Sequence, residues 1–240
     1  MLHFFLQCIG CEQPIGQRAR SLCNACEDSL LTSPPLCSQC GSPVCPINSD
    51  QDCTRPWVSR INKEGGRIDS YSARYLMIGQ GYTVLKKWKL HRGPVFDRQI
   101  LISSERLLAT WKETGAKAII PIPQHFFRSW QMRGSPVDVI AGWVGASSQL
   151  PIQKALKIGS FSKPNKRQAQ RTLGERLAGK RNKFVLSQFC NTLPNTVILI
   201  DDFMTTGRTL NEAAQTLKNA GVQYIHAFSL GVRTFHSLKV

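Results

Sequence analysis

The amino-acid sequence predicts an α/β protein in which a parallel sheet flanked by helices follows a small cysteine-rich module. Two observations support this fold class. Beyond residue 71, short apolar segments alternate with amphipathic helical segments, a pattern that is typical of parallel sheets. Eight of the nine cysteines lie between Cys8 and Cys53, and a polar, glycine-containing stretch follows them. We therefore expect a zinc-binding module at residues 1–56, a linker at 57–70 and the larger domain at 71–240.

The periodicity of the apolar residues divides the larger domain into alternating elements. In chain order, the predicted elements are a strand, turn and helix within residues 72–94, a helix at 100–115, a strand at 118–123, a helix at 137–150, an outer strand at 184–189, a strand at 197–200, a helix at 210–221 and a last strand at 224–232. Gly115 and Gly221 mark two of the helix ends. Ligands of such sheets bind at the carboxyl ends of the strands.

Residues 197–210, with the sequence VILIDDFMTTGRTL, are the most informative stretch of the chain. The apolar residues 197–200 predict a buried strand that ends at Asp201 and Asp202. A loop rich in threonine then opens a helix. Its N–H groups and the positive end of the helix dipole attract phosphate, and threonine hydroxyls donate to phosphate oxygens. The two carboxylates would repel a phosphate, so we expect them to accept from ribose hydroxyls and to hold a divalent cation. The alternative is an acidic strand end before an ordinary threonine-capped helix.

Two CxxC pairs near the start of the sequence predict a zinc site formed by Cys8, Cys11, Cys23 and Cys26. Each pair presents two thiolates to one tetrahedral ion. Disulfides are the alternative, but they need an oxidising compartment, and the apolar start lacks the basic segment of a signal peptide. We therefore expect a cytoplasmic protein. A second set of cysteines has only one CxxC, which predicts either a second zinc site or a degenerate one with free thiols. This set is Cys37, Cys40, Cys45 and Cys53.

The charge of the chain predicts a polyanionic partner, because the formal net charge is +16. Residues 154–183 contain ten lysines or arginines and a single acid, Glu175. Single-stranded nucleic acid bound through its phosphates is a candidate ligand. The basic residues that we expect to contact it are Lys163, Lys166, Arg167, Arg171, Arg128 and Arg133. A solvated basic face is the alternative.

Aromatic residues near these basic residues are candidates for base stacking, although aromatic residues belong to a core more often. They are Trp88, Phe126, Phe127 and Trp130. No apolar segment approaches the roughly 20 residues that span a bilayer.

Residues 197–210 resemble the 5-phosphoribosyl-1-pyrophosphate (PRPP) motif of type I phosphoribosyltransferases: a hydrophobic strand, two acids, a spacer and Thr-Thr-Gly-x-Thr. The resemblance implies that Asp201 and Asp202 are catalytic and bind ribose together with Mg²⁺. It also implies that a turn ending at Gln124 holds pyrophosphate, which Arg128 and Arg133 could neutralise. The PRPP-binding residues that it implies are Asp201, Asp202, Thr205, Thr206, Gly207, Arg208, Thr209, Pro123 and Gln124.

The whole arrangement resembles the ComF family, which includes bacterial competence proteins and combines a double zinc ribbon with a phosphoribosyltransferase-like domain. Further residues match the family pattern: Lys89 in WKLHRG, the IIPIP segment, Arg133-Gly134, and Gln170, Leu173, Arg176 and Asn182. The chain departs from the pattern at residues 135–137, where Ser-Pro-Val replaces Phe-Asn-Gln, and in the second cysteine set, which lacks a closing CxxC.

Two classes of function follow from these patterns. In the first, the protein binds PRPP and handles incoming single-stranded DNA in natural transformation, with a DNA-uptake protein or helicase as a further partner. In the second, it is an active phosphoribosyltransferase that acts on an unidentified acceptor and has no direct role with DNA. The two classes are compatible, because an intact ligand site does not prove turnover.

Overall fold

The computed structural model describes residues 6–16, 20–30, 67–91, 93–101, 105–124, 134–159, 183–190 and 192–233. Within these ranges the elements are β1 (Leu6–Gln7), β2 (Pro14–Ile15), α1 (Asn24–Asp28), β3 (Ser70–Leu76), α2 (Gly79–Leu90), α3 (Pro94–Ile100), α4 (Glu105–Glu113), β4 (Ala118–Pro121), α5 (Pro136–Ser148), β5 (Leu156–Ile158), β6 (Phe184–Leu186), β7 (Thr196–Met204), α6 (Arg208–Asn219) and β8 (Tyr224–Val232).

The predicted parallel sheet is confirmed. Its four strands lie in the order β3-β8-β7-β4, and all three pairings are parallel. The central strands β7 and β8 are mostly apolar and nearly all of their residues are buried, as expected for strands that are covered on both faces. Beside β4, the backbone of Ile119 accepts from Gln153 and donates to Pro151, so residues 151–153 extend that edge.

Two apolar clusters cover the two faces of the sheet. Helices α2, α3, α4 and α5 pack on one face, where Trp88, Trp111 and Phe228 are fully buried. Helix α6 packs on the other face together with the antiparallel β5–β6 hairpin, from which Leu156 and Phe184 point inward. The result is a three-layer α/β domain.

The observed elements differ from the predicted ones at three places. Strand β7 does not end at Asp201 but continues through both acids to Met204, because Asp201 and Phe203 pair with residues of β8. A short helix, α3, runs from Pro94 to Ile100, and the helix predicted at 100–115 is α4, which starts at Glu105; proline occupies the first turn of α3 without losing a hydrogen bond. The predicted outer strand at 184–189 is confined to β6, in a separate two-stranded sheet.

The cysteine-rich segment at residues 8–30 packs directly against α2 and belongs to the same apolar cluster as that helix. Gly81 makes the close approach possible: a Cβ atom at this position would lie 2.4 Å from the carbonyl oxygen of Ser29. Strand β3 begins at Ser70, near the predicted end of the linker. The residues around the boundary at 56 lie outside the described ranges, so the domain limits stay a prediction.

Candidate functional site

The first predicted cysteine set forms a compact cluster. The sulfur atoms of Cys8, Cys11, Cys23 and Cys26 all lie within 4.8 Å of one another, and the four thiols are free. The Sγ atoms of Cys11 and Cys23 are 3.7 Å apart. Two ligands of a tetrahedral zinc ion with Zn–S bonds of about 2.3 Å stand about 3.8 Å apart. The donor set and its spacing therefore fit zinc.

The electrostatics of the cluster also favour a bound cation. Burial, together with the other three cysteines, raises the pKa of Cys26 to about 12, while the hydrogen bond from Gln80 opposes the shift. Burial would raise the pKa of Cys8 as well, but backbone hydrogen bonds from Cys23 and Cys11 lower it to about 7. The backbone N–H of Cys23 donates to Cys8 Sγ at 3.3 Å. The other three thiols oppose ionisation of Cys26, and a cation at the centre of the cluster would favour its thiolate form.

The second predicted cysteine set, Cys37, Cys40, Cys45 and Cys53, lies outside the described residues. Whether these four side chains come together therefore stays a prediction.

The two acids of the predicted phosphate site are buried near the carboxyl end of β7, with Asp201 8% exposed and Asp202 5% exposed. Both oxygens of Asp202 have partners. Oδ2 lies 2.5 Å from Nζ of Lys89 and accepts from Nε2 of Gln124 at 2.9 Å. Oδ1 accepts from the backbone N–H of Phe203 at 2.6 Å. The sheet, helix α2 and the segment after β4 thus meet at one carboxylate.

Asp201 has a different environment, because no cation bonds to it among the described residues. Its Oδ1 accepts from the backbone N–H of Asp202 at 2.9 Å. Burial raises the pKa of Asp201 to about 7, and the charge of Asp202 adds to the shift. The backbone hydrogen bond and the charges of Lys89 and Lys183 oppose it. The pair therefore contains a carboxyl group that takes up a proton near neutral pH.

A buried hydroxyl pair lies on the neighbouring strands. The phenol of Tyr71 on β3 hydrogen-bonds to Oγ of Ser229 on β8, the residue that pairs with Asp201 across the sheet. Burial raises the pKa of Tyr71, and Asp201 contributes to the shift while Ser229 opposes it. Tyr71 therefore stays a neutral phenol beside the acids.

The predicted phosphate loop follows β7 and leads into α6. Thr205, Thr206 and Arg208 are exposed, whereas Gly207 is buried. Gly207 has a φ of 69°, the left-handed conformation that favours glycine, and it precedes the first residue of the helix. Oγ1 of Thr206 accepts from the backbone N–H of Arg208 at 3.4 Å. The loop thus presents hydroxyls at a helix N-terminus next to two carboxylates, as predicted.

Pro123 and Gln124, the expected pyrophosphate-binding residues, follow β4 and lie beside the acids. The backbone N–H of Ile122 donates to the carbonyl of Ile200, which holds this segment against β7. The amide nitrogen of Gln124 contacts Asp202, while its Oε1 is buried without a hydrogen-bond partner. A buried acceptor of this kind costs free energy until a donor reaches it.

Helix α2 connects the cysteine cluster to the acids. Near its start, Nε2 of Gln80 donates to Cys26 Sγ at 3.6 Å. In its last turn, Nζ of Lys87 contacts the carbonyl of Gly10 at 3.2 Å, and Nζ of Lys89 contacts Asp202. Trp88, which lies between the two lysines, is fully buried and packs edge-on against Phe203. The helix that carries Lys89 is therefore fixed against the cysteine segment.

The sequence analysis does not assign two cationic residues to the surroundings of the acids. The family pattern marks Lys89, but no local signal places its ammonium on Asp202. Lys183 directly precedes β6. The sequence predicts nucleic-acid binding for the basic stretch, but it does not predict that the charge of Lys183 lowers the pKa of Asp201.

The predicted nucleic-acid residues lie outside the described part of the chain. They are Lys163, Lys166, Arg167, Arg171, Arg128 and Arg133. Of the aromatic candidates, Phe126, Phe127 and Trp130 also lie outside it, and Trp88 is a core residue that cannot stack on a base. Within the described ranges, no helix has the length and apolar character needed to cross a membrane.

Comparisons with known proteins agree with the sequence-based resemblance. Residues 147–231 match the family model "Phosphoribosyl transferase domain", a range that includes both acids and the threonine loop. The chain is 26% identical to "Competence protein F" of Haemophilus influenzae (strain ATCC 51907 / DSM 11121 / KW20 / Rd) over 236 residues, which cover 96% of this chain and 99% of the relative. A solved structure described as "Structure of the allosteric regulatory enzyme of purine biosynthesis" matches 55% of this chain and 25% of its own length, with 18% identity and a TM-score of 0.36.

The match to Competence protein F extends over nearly the full length of both chains, and the cysteine cluster fits the zinc ribbon that the resemblance implies. The chain is thus similar to Competence protein F along nearly its whole length, and residues 147–231 match a phosphoribosyl transferase domain.

Proposed function

We propose that the protein binds PRPP together with Mg²⁺ and acts in natural transformation, where it handles incoming single-stranded DNA in the cytoplasm. The observation that carries the proposal is the burial of Asp201 and Asp202 at the end of β7, directly before a threonine loop and the N-terminus of α6. The family match supports the PRPP site, and the similarity to Competence protein F supports the role in transformation.

In this proposal each part of the site has its own ligand group. Residues 205–209 bind the 5-phosphate through hydroxyls and backbone N–H groups. The two aspartates accept from the ribose hydroxyls and hold Mg²⁺, which would neutralise charge on the pyrophosphate. The segment at Pro123 and Gln124 faces the pyrophosphate, and the buried Oε1 of Gln124 is available to a donor.

Lys89 is the residue that must change partner when PRPP binds. Its ammonium now neutralises Asp202 at 2.5 Å. If Asp202 holds a magnesium ion, the Lys89 ammonium would be released from that carboxylate. It could then bind an oxygen of the pyrophosphate, because an ammonium group attracts negatively charged oxygens of either kind. The ion pair with Lys89 thus places a positive charge against this buried carboxylate.

Calorimetry of PRPP binding in the presence of Mg²⁺ tests the site. Asp201→Asn combined with Asp202→Asn should weaken binding by about 100-fold or more, since each lost charged interaction costs roughly 1.5–3 kcal/mol. The matched control is Asp138→Asn, which removes an exposed carboxylate on α5 whose ion-pair partner among the described residues is Lys154. Equal binding by wild type and the double variant, or no binding by wild type, would refute the site.

The DNA part of the proposal has a separate test. Charge reversal at Lys163, Lys166, Arg167 and Arg171 should weaken binding of single-stranded DNA, flatten its salt dependence and abolish transformation in a competent host, because each neutralised phosphate releases counterions. Reversal of Lys112 and Lys117, which are exposed elsewhere, is the control. Unchanged salt dependence in the fourfold variant would contradict DNA binding by the basic stretch.

Active phosphoribosyl transfer is a second candidate function, and the raised pKa of Asp201 favours it. A carboxyl that titrates near pH 7 is suited to proton transfer at a reaction centre. Transfer would break the bond between C1 of PRPP and pyrophosphate and form a bond between C1 and an acceptor nucleophile. Release of pyrophosphate from PRPP in a single turnover, with and without DNA, tests this candidate; binding without release would leave the protein a PRPP-responsive binding module.

A further inference from the structure

The β5–β6 hairpin carries an exposed aromatic side chain that the proposed PRPP site does not use. Phe189, in the turn after β6, is 81% exposed. This turn is well anchored: Ser187 is buried, its backbone N–H donates to the carbonyl of Ala155 at 2.7 Å, and that of Cys190 donates to the carbonyl of Ser187 at 2.9 Å. The ring is therefore presented by a fixed backbone.

A cation lies over this ring. Nζ of Lys157, on the outward face of β5, is 4.7 Å from the ring centroid of Phe189. Val185, which pairs with Lys157 across the hairpin, is also exposed. On the opposite face of the same strands, Leu156 and Phe184 are buried in the apolar cluster beneath α6. The outer face of the hairpin combines an aromatic ring, an aliphatic side chain and an ammonium group.

The part of the sequence that contains this face is rich in positive charge. Between Asp138 and Asp201 the sequence contains one acid, Glu175, and the basic stretch of residues 154–183 includes Lys157. Lys183, which directly precedes β6, has a charge that lowers the pKa of Asp201. This excess of cations favours a polyanionic ligand.

We propose that Phe189 and Lys157 form a stacking site for a base of single-stranded DNA on the outer face of the β5–β6 hairpin. The ammonium of Lys157 covers one face of the ring, which leaves the other face to a base, and the same ammonium neutralises the adjacent phosphate. An aromatic ring with neighbouring cations is the combination that binds single strands without sequence preference, since every base offers a π-face. This inference rests on the proposed function and assigns a site to its DNA ligand.

The test uses two fluorescent oligonucleotides of equal length, oligo(dT) and an abasic strand with the same number of phosphates. Anisotropy should show that the full-length protein binds oligo(dT) more tightly than the abasic strand. Phe189→Leu should reduce affinity for oligo(dT) by about fivefold or more and leave affinity for the abasic strand unchanged, because leucine retains the apolar volume but not the ring. Phe189→Trp should restore binding. Lys157→Gln should reduce the salt slope by about 0.7.

Val95→Ala, which alters an exposed aliphatic residue on α3, is the matched control and should behave as wild type. If wild type binds oligo(dT) and Phe189→Leu binds it equally well, the stacking site is refuted while the proposed function stands. If wild type binds neither strand at low salt, the DNA part of the proposed function fails and the stacking site fails with it. Binding of PRPP by Phe189→Leu should equal that of wild type in either case.

Discussion

The central sheet buries a histidine on β8 and a pair of acids on β7, and their surroundings differ. On β8, His226 is 2% exposed, and both of its ring nitrogens are within hydrogen-bond distance of hydroxyls, Ser70 Oγ at 2.6 Å and Ser72 Oγ at 2.8 Å. On β7, Asp201 and Asp202 lie next to each other, with Lys89 bound to only one of them. Neutral hydroxyl groups satisfy the hydrogen-bonding nitrogens of the histidine. The two carboxyl groups, in contrast, share one bonded cation among the described residues, the ammonium of Lys89.

The pKa values express this difference. Burial lowers the pKa of His226 to about 4, so the histidine is neutral and inert at physiological pH. Burial and mutual repulsion raise the pKa of Asp201 to about 7. A buried group whose neighbours satisfy it indicates a structural role, and a buried group that still lacks countercharge indicates a site for a ligand. The following predictions test that distinction.

Removal of the expected zinc ion should change the surroundings of the acids and leave those of the histidine unchanged. Because α2 is fixed against the cysteine segment and carries Lys89, we expect loss of zinc to reduce PRPP affinity by about tenfold or more. A zinc-selective chelator with Mg²⁺ in excess, followed by calorimetry, measures this. Amide exchange along the β3–β8 pairing should change little.

The Cys11→Ser variant should reproduce the effect of chelation, and Cys190→Ser, outside the cluster, should not. PRPP affinity that is unchanged after complete zinc loss would show that α2 does not link the cluster to the acids.

Replacement of Asp201 by Asn should stabilise the PRPP-free protein at alkaline pH. The folded pKa of about 7 exceeds the ordinary value of 3.8, so the folded state favours the protonated acid. The corresponding stability is complete below pH 3.8 and is lost as pH rises through 7. Above pH 7, Asp201→Asn should therefore raise the free energy of unfolding by roughly 2–4 kcal/mol. Urea unfolding at pH 8 and pH 5 measures the difference, which should shrink at pH 5; a variant less stable than wild type at pH 8 would contradict the assignment.

Replacement of His226 by Gln should lower the free energy of unfolding, by less than Asp201→Asn raises it. The folded pKa of about 4 lies below the ordinary 6.5, so the stability due to the neutral histidine is present above pH 6.5 and is lost as pH falls towards 4. That loss is about 3 kcal/mol in the wild type. His226→Gln should lower the free energy of unfolding by roughly 1–2 kcal/mol at pH 7, because glutamine makes imperfect hydrogen bonds there. It should also reduce the loss of stability as pH falls towards 4.

Urea unfolding in an Asp201→Asn background isolates the histidine, since the acid no longer titrates there. PRPP affinity should be the same with either residue at position 226. If the free energy of unfolding of His226→Gln falls at acid pH as steeply as that of the wild type, the pH dependence belongs to other groups.

The sequence predicts most of the sheet because local signals agree with the tertiary structure. Strand β8 has the predicted bounds of 224–232, where β-branched and aromatic residues follow a glycine-terminated helix. The first cysteine cluster follows from its CxxC spacing alone. Strand β7 is longer than predicted because its acids have low strand propensity, yet the ladder with β8 continues past them.

The environment of the acids could not be predicted in the same way. The contact between Lys89 and Asp202 depends on how α2 packs on the sheet, and the raised pKa of Asp201 depends on burial. Neither property has a local sequence signal. The PRPP motif indicates which residues act together, but it does not indicate which of the two acids is neutralised.

The position of β8 between β3 and β7 has a consequence for synthesis of the chain on the ribosome. Ser70 pairs with His226, which is 156 residues later in the sequence. At about 5–20 residues per second, β3 waits roughly 8–30 s for its only partner in the described sheet. The cysteine segment, in contrast, has its four ligands within residues 8–26 and can close locally. During this interval α2 leaves the ribosome after the cysteine segment has folded. The first helix of the larger domain thus has an ordered surface to pack against before the sheet forms.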